Sequence, residues 1–424
     1  MKKLPFALQE LQNIVTRFPT PFYIYDEKAI RENARKLVQA FAWNPGFREY
    51  YSVKTAPNPV LIELLKQEGC GADCASETEL LLAEATGLSG EKIMFTSNNT
   101  SAEEYRQARR LGAIINLDDT GHIVFLQKSA GIPDLICCRY NYGGELRFDG
   151  RTILNFTDNK TGATKEQILT AFRRLSQLGV KRFGLHAQFG GHQVSAAYFG
   201  EAIRPLFSLA VELCQTCGIK VSFINFAGGL GIAYKPTDSP TDITTVSAHI
   251  RRAYEETLAG TGLGSIPLYA ELGLFMTGPY GYFVTSVRHI KQTGKQFVGL
   301  DASTNSFMSG LRYNDYHQIS VPGKENEPAY QTYDLTGALC EGGKDRFALN
   351  RPLPRLSIGD LIVFHDAGAY AYAHSHNFNG KLRPAELLLA DDGSVKQIRR
   401  AETPADYFAT LRFPGSKYEM PGAD

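Results

Sequence analysis

Lys54 closes the short apolar run Tyr51-Ser52-Val53-Lys54, just after a helical stretch. Read as the carboxyl end of a buried strand, it is an amine that desolvation pushes toward its neutral, nucleophilic form. Alone, such a lysine is more often a solubilising surface charge. The residues downstream change its meaning, because further apolar runs follow and polar or glycine residues end them. Asp73 and Ser76 end the second, and Asn98, Asp118 and Arg139 close the third, fourth and fifth. His186 and Gln188 lie on the sixth, Gly228 and Gly229 end the seventh, and Glu271 ends the eighth. One nucleophilic amine, one glycine turn and one carboxylate are the groups that hold pyridoxal phosphate. The amine condenses with the aldehyde, the glycine amides bind the phosphate, and the carboxylate keeps the pyridine nitrogen protonated. Singly, Gly228-Gly229 could be only a tight turn and Glu271 a buried ion-pair partner; their joint order carries the reading.

These groups need elements to bring them to one rim. Strand candidates fall at 49–54, 71–75, 92–97, 113–118, 135–141, 182–189, 222–228 and 267–272, alternating with amphipathic helical stretches. Ser76-Glu77-Thr78-Glu79 and Ser101-Ala102-Glu103-Glu104 have the capping-box form, and Thr164-Lys165-Glu166-Gln167 opens a third helix. Eight strand–helix units close a (β/α)8 TIM barrel, whose active site gathers at the carboxyl ends of the strands. An open doubly wound sheet is the rival, but its glycine fingerprint should follow the first strand, whereas Gly228-Gly229-Leu230-Gly231 follows the seventh. Beyond about residue 280, β-branched runs such as Tyr282-Phe283-Val284-Thr285-Ser286-Val287 recur between turns, reading as a β-domain. The expected organisation is an N-terminal segment (1–30) whose strand Phe22-Tyr23-Ile24-Tyr25 pairs with the β-domain, a barrel (31–280) and the β-domain itself (281–424).

The 424 residues, 43% hydrophobic, suffice for a large core in two domains, and a net charge of +1 argues against nucleic acid or an acidic membrane as partner. No run resembles a signal peptide or a bilayer span, and seven scattered cysteines do not form a disulfide framework, so a cytoplasmic enzyme is expected. Cys214-Gln215-Thr216-Cys217 lacks a second pair at zinc spacing and reads as helix packing, so no metal is expected.

The chain resembles the fold-type III pyridoxal-phosphate decarboxylases, the diaminopimelate and ornithine decarboxylase family, with an alanine racemase-like architecture. The resemblance runs over nearly the whole length. It is carried by Tyr51-Ser52-Val53-Lys54, Asp73-Cys74-Ala75-Ser76-Glu77-Thr78-Glu79, Asn225-Phe226-Ala227-Gly228-Gly229-Leu230-Gly231, Cys340-Glu341-Gly342-Gly343 and Asp366-Ala367-Gly368-Ala369-Tyr370. Asn379-Gly380-Lys381-Leu382-Arg383-Pro384-Ala385-Glu386 and Tyr313-Asn314-Asp315-Tyr316-His317 place it nearer the diaminopimelate branch. The resemblance implies a head-to-tail homodimer with shared active sites. Lys54 would bind the cofactor covalently, Glu271 would contact the pyridine nitrogen, and Gly228, Gly229 and Tyr370 would hold the phosphate. Asp73, Glu79 and Arg139 would supply supporting charges around Lys54. Cys340, entering from the partner copy with Glu341 beside it, would protonate Cα after carbon dioxide leaves. A thiol suits that role because it can deliver a proton and be recharged from solvent; the bland alternative is a buried structural cysteine.

Four positions depart from the family pattern. In Gly184-Leu185-His186-Ala187-Gln188-Phe189-Gly190-Gly191, Gln188 stands where a ring-stacking histidine is usual, and Gly191 where a serine lies near the phosphate. Leu274, in Glu271-Leu272-Gly273-Leu274, replaces an arginine suited to a distal substrate carboxylate, and Ser309 replaces a second. Arg312, beside Tyr313, could restore one such contact. Leu274, Ser309, Arg312, Tyr313, Glu341 and Tyr370 are therefore the expected substrate-facing positions. Decarboxylation of meso-diaminopimelate to L-lysine is the first expectation, and another diamino acid or a specialised derivative the second. Racemase chemistry would need two opposed bases. A catalytically silent binding homologue tends to lose the lysine or the cysteine, and both are here.

Overall fold

The computed structural model describes residues 2–148, 150–191, 195–308 and 316–413, in two compact units. One unit is Ile30–Ala233 with Ser239–Met276; the other gathers the chain up to Ala29, Tyr234–Asp238 and the chain from Thr277 onward.

The first unit is a closed barrel of eight parallel strands: Arg48–Ser52, Gly71–Cys74, Ile93–Thr96, Ile114–Leu117, Leu135–Tyr140, Arg182–Ala187, Val221–Asn225 and Leu268–Ala270. Every strand expected from sequence is present, in chain order around the barrel. Side chains alternate in and out with period two, and the inward positions divide by depth. Tyr50, Met94, Ile114, Leu135, Cys137, Phe223 and Tyr269 form one apolar cluster inside. Phe223 stacks on Tyr269 with centroids 4.3 Å apart, and a Cβ on Gly184 would lie 2.1 Å from the Phe223 ring, so glycine is what admits that ring. Two residues further along the same strands the inward positions are Ser52, Thr96, Asn116, Arg139, His186, Asn225 and Glu271, with Asp73 in register beside Ser52. The carboxyl rim of the barrel is thus polar because the period-two pattern of each strand changes chemistry on its last turn.

The outer helices begin where the capping signals stand. Ser101 and Glu104 exchange hydrogen bonds with each other's backbone, as do Thr164 and Gln167. Ser76 caps Glu79 N at 3.3 Å, but the Glu79 carboxylate reaches back to Ala75 N (2.7 Å) rather than to the cap residue. A hairpin, Glu145–Phe148 with Arg151–Asn155, is inserted after the fifth strand, a feature the periodicity did not disclose. Cys214 and Cys217 end the long helix Ala196–Cys217, and no metal-ligand cluster occurs among the described residues.

The second unit is built on a mixed nine-stranded sheet. Phe22–Asp26 lies inside it, antiparallel to Gly281–Gln292 and parallel to Ala385–Leu389. Leu361–Phe364 also pairs with Gly281–Gln292, and Val395–Arg399 with Ala385–Leu389. A helix, Leu8–Arg17, covers one face and buries Leu11 and Ile14 against Phe22, Ile24, Val284 and Leu387. No Ser, Thr, Asp or Asn announces that helix; its start is held by the Glu10 carboxylate on Ala7 N at 2.7 Å, a signal without the usual cap residue.

Candidate active site

Lys54 stands one turn beyond the expected place: the first strand ends at Ser52, and Lys54 is the middle residue of a 3-10 turn, Val53–Thr55. Its side chain is 51% exposed in the isolated chain, so the expected drying by burial is not what conditions the amine. A carboxylate does so instead, since Nζ lies 3.3 Å from Asp73 Oδ2. Asp73 is buried and its pKa is pushed up to about 7, first by desolvation and then by repulsion from Glu271, with Lys54 pulling the other way. Glu79 is likewise raised by burial, against the hydrogen bond from Ala75 N and the charge of Lys54. Arg139 faces Asp118 at 3.7 Å.

Glu271 follows the eighth strand and is buried. Its Oε1 accepts a hydrogen bond from Asn225 Nδ2 at 2.7 Å and lies 3.4 Å from His186 Nε2, too poorly aligned for a hydrogen bond. Burial works to raise the Glu271 pKa, but His186, Lys54 and the Asn225 amide outweigh it and hold the carboxylate below its ordinary value. His186 itself is pulled down by desolvation. A carboxylate kept ionised inside a barrel mouth is suited to a cationic partner such as a protonated ring nitrogen.

The seventh strand runs into Ala227-Gly228-Gly229. Ala227 adopts a left-handed backbone (φ 55°), and Gly229 has φ +100°. A Cβ on Gly228 would sit 2.3 Å from Glu271 O, and one on Gly229 would sit 2.1 Å from Gly190 O. Glycine is obligatory at both, and the turn presents bare backbone, as an anion cradle requires. Gln188 donates to Gly190 O at 2.8 Å, which draws its amide toward that turn. Buried polar atoms here remain without hydrogen-bond partners: both ring nitrogens of His186, Asn116 Oδ1 and Asp118 Oδ1. A native interior leaves few such groups unmatched, so amine, carboxylate, cradle and unmatched polar atoms together fit a polar, phosphorylated ring.

Asn225 and Glu49 are the residues the sequence reading missed. Asn225 is fully buried and joins Glu271 to Ala227 N (2.7 Å each). Its signal was available: a lone amide ending the apolar strand Val221–Asn225. Glu49 lies on the opposite face of the first strand, and its Oε1 accepts from Leu272 N at 2.7 Å. Leu274 is buried in the short helix Gly273–Thr277 directly after Glu271.

The other expected residues belong to the sheet unit. Cys340 and Glu341 are exposed there, and Cys340 Sγ donates to Asn379 Oδ1 at 3.0 Å. Tyr370 has a left-handed backbone (φ 59°) and stacks on His374 at 5.8 Å. Ser309, Arg312 and Tyr313 lie outside the described residues.

Barrel, lysine turn, ionised carboxylate and glycine cradle define a fold-type III pyridoxal-phosphate enzyme. Residues 27–278 match the family of pyridoxal-dependent decarboxylases, pyridoxal binding domain. The chain belongs to that family. It is 36% identical to Protein TabA of Pseudomonas amygdali pv. tabaci, over 95% of this chain and 94% of that one. It is 31% identical to the diaminopimelate decarboxylase of Methanothermobacter thermautotrophicus, again over 95% and 94%. The crystal structure of diaminopimelate decarboxylase from M. jannaschii in co-complex with L-lysine superposes with a TM-score of 0.88 at 27% identity, covering 95% of this chain and 94% of that one.

Proposed function

We propose that this chain decarboxylates meso-diaminopimelate to L-lysine as a cytoplasmic homodimer in lysine biosynthesis, each copy's Cys340 serving the other copy's barrel. The single observation that carries the chemistry is the pairing of an accessible amine with a buried carboxylate, Lys54 with Asp73, on the same rim as ionised Glu271. Bound pyridoxal phosphate supplies the electron sink for the charge left at Cα when carbon dioxide departs. Lys54 would hold the cofactor and release it to the substrate amine, with Asp73 receiving or returning the proton at Nζ. Glu271, fixed by Asn225, would face the ring nitrogen; Gly228, Gly229 and Tyr370 would hold the phosphate. Arg139, His186 and Gln188 would complete the cofactor's surroundings. Cys340 would deliver the proton to Cα, with Glu341 beside it on the substrate.

The substrate rests on relatives named diaminopimelate decarboxylases that align over nearly the full chain. Exposure of Cys340 and Glu341 fits service to a second copy. Seven free cysteines fit a reducing compartment, and among the described residues no helix is long and apolar enough to cross a membrane.

Leu274 favours a second reading. A buried substrate carboxylate without its cationic partner costs several kcal/mol, and Leu274 supplies none. The alternative substrate is another diamino acid or derivative lacking that carboxylate, with Leu274 and Ser309 as the switch and Arg312 and Tyr313 nearby in sequence. The test is carbon dioxide release from meso-diaminopimelate, L- and D-lysine, L- and D-ornithine and arginine, with Lys54→Ala as control. Turnover of diaminopimelate upholds the first reading, and turnover of another substrate the second. Silence across the panel, with cofactor absorbance that Lys54→Ala abolishes, would sink the first reading and point to a specialised derivative or a binding role.

A further inference from the structure

The loop that carries Cys340 is tied down from beneath by one carboxylate. Asp345 is buried; its Oδ1 accepts from Thr304 N (2.9 Å) and Thr304 Oγ1 (2.8 Å), and its Oδ2 accepts from Leu339 N (2.6 Å). Ser303 Oγ accepts from Ala338 N at 2.8 Å, and Asp345 N donates to Glu341 O at 3.0 Å. These bonds fix both flanks of Cys340 and leave its side chain at the exposed tip.

Asn379 approaches that tip from a separate segment, which is itself anchored. His376 N donates to Asn305 O (3.1 Å), Asn305 Nδ2 returns a bond to His376 O (2.6 Å), and Asn377 Nδ2 reaches Glu402 (2.6 Å). Asn379 has φ 59° and Gly380 φ 67°, a left-handed pair that turns the Asn379 amide back toward Sγ. Asparagine is among the few non-glycine residues at ease there. Two independently anchored segments thus meet at a single contact, Sγ to Oδ1 at 3.0 Å.

We infer that Asn379 is a positioning residue that selects one Cys340 rotamer and so aims the thiol for proton delivery. This rests on the reading of Cys340 as the proton donor and deepens it. The amide oxygen accepts from S–H, so the contact holds the thiol in one orientation that a reagent must break to reach the sulfur. The charged or titratable neighbours are Glu341, Lys344 and Asp345 on the loop and His376 and Lys381 on the Asn379 segment. None of them makes the sulfur contact that Asn379 makes.

The test is the rate at which iodoacetamide alkylates Cys340 in cofactor-loaded protein at one fixed pH, read from the Cys340 peptide by mass spectrometry. Asn379→Gly keeps the left-handed turn and removes the acceptor, so alkylation should quicken roughly 2- to 5-fold, the worth of a weak hydrogen bond. Asn379→Asp keeps the turn and the acceptor and adds an anion, so alkylation should fall below wild type. A role confined to holding the loop together would move both variants the same way, and that result, or no change in either, overturns the inference. Turnover of Cys340→Ala, measured beside them, separates the two ideas. Undiminished product formation there refutes Cys340 as donor, whereas its loss with unmoved Asn379 variants refutes Asn379 alone.

Discussion

Asn225 bridges the buried carboxylate and the glycine turn of the barrel rim: its Nδ2 donates to Glu271 Oε1 and its Oδ1 accepts from Ala227 N, each at 2.7 Å. Glu271 N closes the circuit on Ala227 O, also at 2.7 Å. One buried amide therefore sets the carboxylate and the glycine turn relative to each other. Asn225→Ala leaves both partners unmatched, and the cost of about 1–3 kcal/mol should appear as cofactor binding weakened roughly 5-fold or more. Titration of the apo-protein with pyridoxal phosphate measures it, and unchanged affinity would count against the link.

Gly229→Ala should lose the cofactor without unfolding the barrel. The new Cβ would stand 2.1 Å from Gly190 O at a backbone φ of +100°, so the turn must open. The expected result is native circular dichroism with the visible cofactor band absent; a retained band would show that the turn is not the cradle.

The two units should respond to pH in opposite senses. In the barrel, burial first, and then the neighbouring carboxylates, raise Glu49 from its ordinary 4.5 to about 8 and Asp73 from 3.8 to about 7. Folded protein holds these protons where unfolded chain has released them, so their contribution is full below the unfolded values and is lost as pH rises toward 7–8. In the sheet unit, burial lowers His317 and His365 from 6.5 to about 4. The unfolded chain takes up those protons first, so stability is full above 6.5 and is lost as pH falls toward 4. Asp366, paired with Lys2 at 2.5 Å yet raised to about 6 by burial, opposes this with one group against two. Hydrogen exchange resolved by unit across this range should show the divergence, and Glu49→Gln should flatten the barrel's response while keeping an acceptor for Leu272 N. Parallel profiles in both units would refute it.

Cys214 and Cys217 should prove dispensable. Both are partly buried at the end of one helix, and Cys217 Sγ makes long contacts, 3.6 Å to Thr216 Oγ1 and 3.9 Å to Leu169 O. The double serine variant should keep wild-type turnover and lose less than about 1 kcal/mol of stability. Bound zinc in the wild-type protein, by elemental analysis, would contradict this.

The sequence by itself determined the barrel, because each strand is a short apolar run and several of the helices between them open on a capping Ser or Thr, as at Ser76, Ser101 and Thr164. It also determined which residues gather at the rim, since Asp73 and His186 fall near the ends of strands and Lys54, Gly228, Gly229 and Glu271 within a few residues beyond them, and a barrel has one place for strand ends. Tertiary structure decided what those residues do to one another. Residues 54 and 73 become an ion pair, and 225 and 271 a hydrogen bond, only when consecutive strands of the barrel pair in register and bring their carboxyl ends together. The Leu8–Arg17 helix and the hairpin after the fifth strand escaped the sequence for the same reason. The helix has no cap residue to mark its start and takes its hold from Leu11 and Ile14 packed on a sheet whose strands come mostly from the far end of the chain. Periodicity records which face a segment buries, whereas what it is buried against is a property of the folded chain.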